Sequence, residues 1–89
     1  MITVNTIDST NFEVVVEGNP TTKHSVTVTH LYYQKLTNNQ VSPETLVEKS
    51  FEFLLERETN TSILSRFDLP IIERYFPEYE KTIKKMLKK

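Results

Sequence analysis

The chain contains no cysteine, which excludes a disulfide framework, a thiolate metal site and a cysteine nucleophile. Its single glycine, Gly18, excludes phosphate-cradling loops, the dinucleotide fingerprint and the Gly-x-Ser-x-Gly elbow, all of which need several glycines at fixed spacing. No stretch approaches the ~18 consecutive apolar residues that span a bilayer, so no membrane partner is expected. Met1-Ile2-Thr3-Val4-Asn5 has neither the basic nor the apolar segment of a secretion signal, and a cytoplasmic location is the expectation. A charge excess of one sign is lacking too. Eleven basic residues stand against 12 acidic ones, for a formal charge of −1. A balance this even gives no general attraction to a phosphate backbone, and nucleic acid is not the expected partner.

What is present fits one small domain. The 89 residues are 37% hydrophobic and 26% charged, and a chain of this length buries roughly 60–65% of its unfolded surface, enough for one core. Residues 1–89 are therefore read as a single α+β domain.

The first thirty residues read as β-structure. Ile2, Val4 and Ile7 suggest an opening strand, closed by Asp8-Ser9-Thr10-Asn11. Phe12, Val14 and Val16 then alternate with Glu13, Val15 and Glu17, the period of a half-buried strand. Gly18-Asn19-Pro20 breaks the pattern, with Gly18 placed where a positive φ costs nothing. Thr22 to Thr29 alternates again, Val26 and Val28 on one face and Ser25, Thr27 and Thr29 on the other. The spacing predicts an antiparallel hairpin, extended to a three-stranded sheet by the first strand.

From Thr29 the period becomes helical. Thr29 caps a short helix carrying Leu31, Tyr32 and Leu36, which ends near Asn38-Asn39. Ser42 caps the main helix, Pro43 suits its first position, and Glu44 favours the positive end of its dipole. This helix is predicted over 43–58. Leu46, Val47, Ser50, Phe51, Phe53, Leu54 and Leu55 occupy an arc of about 200°, so it is touched from two sides and centres the core. A short helical turn with Ile63, Leu64 and Phe67 follows. A segment capped by Asp68 comes next, carrying Leu69, Ile71, Ile72, Tyr75 and Phe76. Pro77 starts a last helix with Tyr79, Ile83 and Leu87 at a spacing of four. Glu78 and Glu80 stand early in it, and Lys84, Lys85, Lys88 and Lys89 late.

The residues able to carry chemistry do not converge. His24 and His30 lie about 20 Å apart along an extended strand, too far for one ion, and no third ligand has metal-site spacing. Ser50 has no base beside it in sequence and reads as a small residue that lets another element approach. Glu44, Glu48, Glu52 and Glu56 form a ladder on one helix face that cannot converge on a cation, with Lys49 and Arg57 as partial compensation. The clustered C-terminal lysines read as a helix end, and the Asn60-Thr61-Ser62 sequon as a chance match. No catalytic residue, metal ligand or cofactor is assigned. Among the aromatics, Tyr33, Phe53 and Tyr79 are the candidate partner surface if they stand exposed together.

From His24 to Glu58 the succession of strand, short helix, Asn-rich turn and Ser-capped amphipathic helix resembles a ribbon-helix-helix DNA-binding unit. That resemblance implies a small DNA-binding transcriptional regulator in which Lys23, Ser25, Thr27 and Thr29 face the bases. The chain departs from the pattern in a first helix about a turn shorter, a hairpin partner at 12–17 and an acidic second helix. A second resemblance rests on Leu46-Val47-Glu48-Lys49-Ser50-Phe51-Glu52-Phe53-Leu54-Leu55-Glu56-Arg57-Glu58, Ser62-Ile63-Leu64, Phe67-Asp68-Leu69 and Tyr75-Phe76-Pro77-Glu78-Tyr79. These segments resemble a group of small uncharacterised bacterial proteins, which implies a bacterial, cytoplasmic setting and no particular activity. The reading that follows is a non-enzymatic protein-binding or adaptor module. Its partner is an unidentified protein, with a homodimer as one form, because the apolar arc of the main helix is wider than one 89-residue chain is expected to cover.

Overall fold

The computed structural model describes residues 1–88. It is an α+β fold in which a four-stranded sheet, β1 (Ile2–Thr6), β2 (Asn11–Val16), β3 (Thr22–Thr27) and β4 (Arg66–Asp68), is joined by four helices: α1 (His30–Thr37), α2 (Pro43–Leu55), α3 (Ile71–Tyr75) and α4 (Tyr79–Leu87). The first three strands form the expected antiparallel meander, with Ile2 opposite Val16 and Val16 opposite Thr22. Their alternation sets the faces. Phe12, Val14, Val16, His24, Val26 and Val28 point into the core, and the intervening residues line a polar outer face, as an antiparallel sheet with one wet side requires. The turn from β1 to β2 is held by the Asp8 carboxylate, which accepts from the Thr10 and Asn11 amides, both at 2.9 Å. Those bonds hold its carboxyl below the ordinary value.

The helix caps lie where the sequence places them. The Thr29 hydroxyl accepts from the Tyr32 amide at 3.2 Å, and Asn38 ends α1 in the left-handed region at φ 54°. The Ser42 hydroxyl accepts from the Thr45 amide at 3.1 Å, with Pro43 in the first turn of α2. That helix ends at Leu55 rather than Glu58, because the Arg57 amide bonds the Leu54 carbonyl three residues back, while the Phe53 carbonyl four residues back accepts from the Arg57 guanidinium instead. Gly18 has no positive φ. Its lack of a side chain serves a close approach instead: a Cβ there would stand 3.3 Å from both Asn60 Nδ2 and the Pro20 carbonyl.

The segment after α2 differs most from expectation. The only helical turn there is a 3₁₀ turn at Asn60–Ser62, and Phe67 lies in β4, which pairs parallel with β3. Ile63 and Phe67 are four apart and imitate a helical stripe, whereas the buried–exposed–buried order of Phe67, Asp68 and Leu69 is the strand pattern. Asp68 ends β4 and caps nothing; Pro70 occupies the position before α3. Lys84 and Lys85 stand in the last turn of α4, as the dipole favours. Lys89, grouped with them on sequence grounds, lies outside the described residues.

The core forms one cluster around α2. One side of the helix packs on the sheet and the other meets α4, which also touches α1. Ser50 sits fully buried at the α2–α4 contact. Its hydroxyl donates to the Leu46 carbonyl at 2.7 Å and lies 2.6 Å from the Tyr79 hydroxyl. With the serine proton committed to Leu46, Tyr79 is the donor in that pair. Burial pushes the Tyr79 phenol well above its ordinary value, so it keeps its proton. Ser50→Ala strands this buried O–H and should cost about 1–3 kcal/mol, and Tyr79→Phe about 0.5–1.5 kcal/mol. Urea titrations should show the double variant costing about 1 kcal/mol less than the sum. Strict additivity would contradict the assigned bond.

Candidate functional site

Beyond α2 the chain encloses an apolar cleft. Its walls come from the end of α2 (Leu54, Glu58), the connection to β4 (Ser62, Ile63, Leu64), Phe67, and α3 with its exit (Ile71, Ile72, Tyr75, Phe76). The cleft encloses about 270 Å³. Leu64 (48% exposed) and Tyr75 (66% exposed) flank it, two of the large apolar side chains the fold leaves in water.

Each wall is fixed by bonds the sequence does not announce. The His24 Nδ1 lies 2.8 Å from the Leu64 carbonyl, which can only accept, so the proton is on Nδ1. Its Nε2, 2.8 Å from the Thr22 hydroxyl, then accepts from it. Asn60 Nδ2 in turn donates to Thr22 Oγ1 at 3.1 Å and to the Pro20 carbonyl at 2.9 Å. This network ties the hairpin loop to the segment carrying Leu64. It uses both ring nitrogens of a buried imidazole that also packs on Phe51, at a centroid distance of 5.3 Å. On the far side, the Leu69 amide donates to the Thr27 carbonyl at 2.9 Å and delivers α3 to the cleft.

Electrostatically the cleft holds one unmatched group. The side chain of Glu58, half-buried at its edge, makes no hydrogen bond or ion pair among the described residues, and desolvation pushes its carboxyl above the ordinary value. The neighbouring cation is committed elsewhere. The Arg57 guanidinium lies 3.6 Å from the centroid of the Phe53 ring, donates to the Phe53 carbonyl at 3.0 Å, and pairs with Glu78 at 3.2 Å.

The residues singled out from sequence do not meet here. Phe53 and Tyr79 are fully buried in the same chain, with ring centroids 5.2 Å apart, and Phe76 meets Phe53 edge-on at 5.9 Å. Tyr33 is half-buried and its hydroxyl donates to the Val41 carbonyl. The three therefore form no exposed patch, because α4 covers the part of α2 that the sequence left unpartnered. Lys23, Ser25, Thr27 and Thr29 do point away from the core. However, β3 lies between β2 and β4, with both edges paired in its own chain, so it cannot make the intersubunit ribbon of a ribbon-helix-helix dimer. Its outer face is mixed in charge, with Ser25 between Glu13 and Arg66 and Thr27 beside Asp68, so it offers no uniformly basic surface to a phosphate backbone. His30 is exposed at the start of α1 with its ring 6.0 Å from Tyr33, and no group of three metal-ligating side chains is assembled among the described residues.

Sequence reasoning missed the cleft. The available signal was the density of apolar residues from Ile63 to Phe76, which exceeds what two short elements can bury. No family model, curated protein or solved structure matches the chain. The likeness to small bacterial proteins thus gains no support from them.

The raised Glu58 carboxyl has a consequence for stability. A carboxyl whose folded pKa exceeds its unfolded one costs nothing below the unfolded value and destabilises progressively as pH rises through the folded one. Glu58→Gln should therefore match the wild type at about pH 3 and be the more stable of the two at about pH 7, in paired urea titrations. A variant less stable at neutral pH would contradict an unpaired, desolvated carboxylate.

Proposed function

We propose that this protein is a non-enzymatic protein-binding module whose cleft takes an apolar side chain of a partner segment, with an adjacent lysine or arginine of that segment reaching Glu58. One observation carries the reading: an open apolar cleft with a single carboxylate at its edge that pairs with no cation among the described residues. Size favours a side chain over a cofactor. Small-molecule sites enclose roughly 300–1,000 Å³ with several convergent polar groups, and this cleft encloses about 270 Å³ with apolar walls. Chemistry points the same way, since a bound ammonium or guanidinium would return Glu58 to the charged state that desolvation disfavours. Exposed Leu64 and Tyr75 would supply the surrounding contact that excludes water from a buried anchor.

Selection of a displayed random-peptide library on the whole protein tests this. The enriched peptides should share a leucine- or phenylalanine-sized residue beside a basic one. Glu58→Lys should turn that preference toward acidic neighbours, and Leu64→Asp should abolish enrichment. No enrichment, or enrichment indifferent to both substitutions, would overturn the reading.

A further inference from the structure

A different surface, the free edge of the sheet, has a self-complementary pattern. The Glu17 amide donates to the Met1 carbonyl at 3.0 Å and the Ile7 amide to the Asn11 carbonyl at 2.9 Å. With the antiparallel register of β1 on β2, these two bonds fix the alternation. Residues 1, 3, 5 and 7 turn their backbone groups toward β2, and Ile2, Val4 and Thr6 turn theirs outward. The backbone groups of Ile2, Val4 and Thr6 make no other hydrogen bond among the described residues.

Edge strands are normally guarded by charge, proline or shortness. The opposite edge follows that rule, since β4 has three residues, two of them Arg66 and Asp68. The β1 edge does not. Met1 to Ile7 contains no charged side chain and no proline. At its two ends stand Met1 (83% exposed) and Ile7 (64% exposed), while Ile2 and Val4 are only half-covered at the rim of the core.

We propose that β1 pairs antiparallel with β1 of a second copy about a two-fold axis at Val4, forming one continuous eight-stranded sheet across the dimer. The register follows from three independent features. Ile2, Val4 and Thr6, the outward-facing residues, fall opposite Thr6, Val4 and Ile2 of the second copy, so each is in a hydrogen-bonded position and about six bonds form. Shifting the register by two residues in either direction forfeits one such pair. In the same register Met1 meets Ile7 of the second copy, which covers two large exposed apolar side chains on each chain. Val4 lies beside its own symmetry mate, extending the apolar rim that α2 leaves open. No charge opposes a like charge along the ribbon. A contact with about six bonds is at the low end of the 10 ± 5 found in standard interfaces, so the dimer is a weak, concentration-dependent one.

Sedimentation equilibrium of the whole chain, from about 10 μM to about 1 mM, should show the mass rising from 10.5 kDa toward twice that value. Over the same range, hydrogen exchange at the Ile2, Val4 and Thr6 amides should slow, while Thr3 and Asn5, already bonded to β2, change little. The register has its own test on the outer sheet face, where substitutions leave the core untouched. Thr3 falls opposite Asn5 of the second copy. Thr3→Glu with Asn5→Lys should therefore tighten association roughly 2- to 10-fold, and Thr3→Lys with Asn5→Lys should weaken it by a similar factor. A monomer at every concentration would overturn the proposal. So would a dimer whose three outward amides stay unprotected, or double variants that shift association in the same direction.

Discussion

The burial of α2 on two sides depends on the chain returning to it after leaving the sheet. Val47 and Phe51 fall on one side of the α2 arc, with Phe51 packed against His24 of β3 and Phe67 of β4, whereas Leu46, Ser50 and Phe53 fall on the other and need a second cover. That cover is α4, keyed by the Tyr79 hydroxyl on Ser50 and the Tyr79 ring on Phe53, and locked at its start by Arg57 on Glu78. A large apolar arc needs burial wherever it can be found, and here it is found within one chain. The wide arc therefore gives no reason for a second subunit. Any self-association must come from a different surface.

Covering α2 from both sides uses most of the apolar residues an 89-residue chain can supply, and the remainder lines the cleft. Residues 63–76 hold more apolar side chains than β4 and the five-residue α3 can enclose, and the excess surrounds the cleft beside Glu58. The polar bonds of His24 and Asn60 hold the wall of that cleft, and apolar burial alone would not specify its shape. Ion pairing follows the same local economy. Lys49 pairs with Glu52 at 3.3 Å within α2, and Lys35 with Glu80 at 3.1 Å between α1 and α4, so the surface carries short pairs of modest energetic weight. Within the acidic ladder, Glu52 pairs with Lys49, Glu56 with Arg57 just past the helix end, and Glu44 accepts from the Thr6 hydroxyl.

The parts of the fold legible in sequence are those set by local rules. Alternation marked β2 and β3, a hydroxyl residue before an apolar run marked the starts of α1 and α2, and Asn38-Asn39 marked the end of α1, where the structure turns left-handed at φ 54° and 59°. Parity along β3 also placed Lys23, Ser25 and Thr27 on the outer face. What was not legible depends on distant partners. A three-residue parallel strand has no period of its own, and β4 exists because the Ser25 amide and the Thr27 carbonyl are free on β3 to bind Ser65 and Leu69. Phe53 and Tyr79 were misjudged for the same reason, since each looks unpartnered until the other is placed against it. The role of Gly18 followed a side chain from 42 residues further on, which turn chemistry alone cannot reveal.

The enclosure of α2 by a single chain is tested most directly by native-state hydrogen exchange along that helix. If both covers are present in the monomer, the Val47, Phe51 and Leu54 amides exchange only through global unfolding, with opening free energies equal to the stability from denaturant titration at dilute concentration. Opening free energies lower by about 2 kcal/mol or more, independent of denaturant, would show that α2 is released locally and contradict the account.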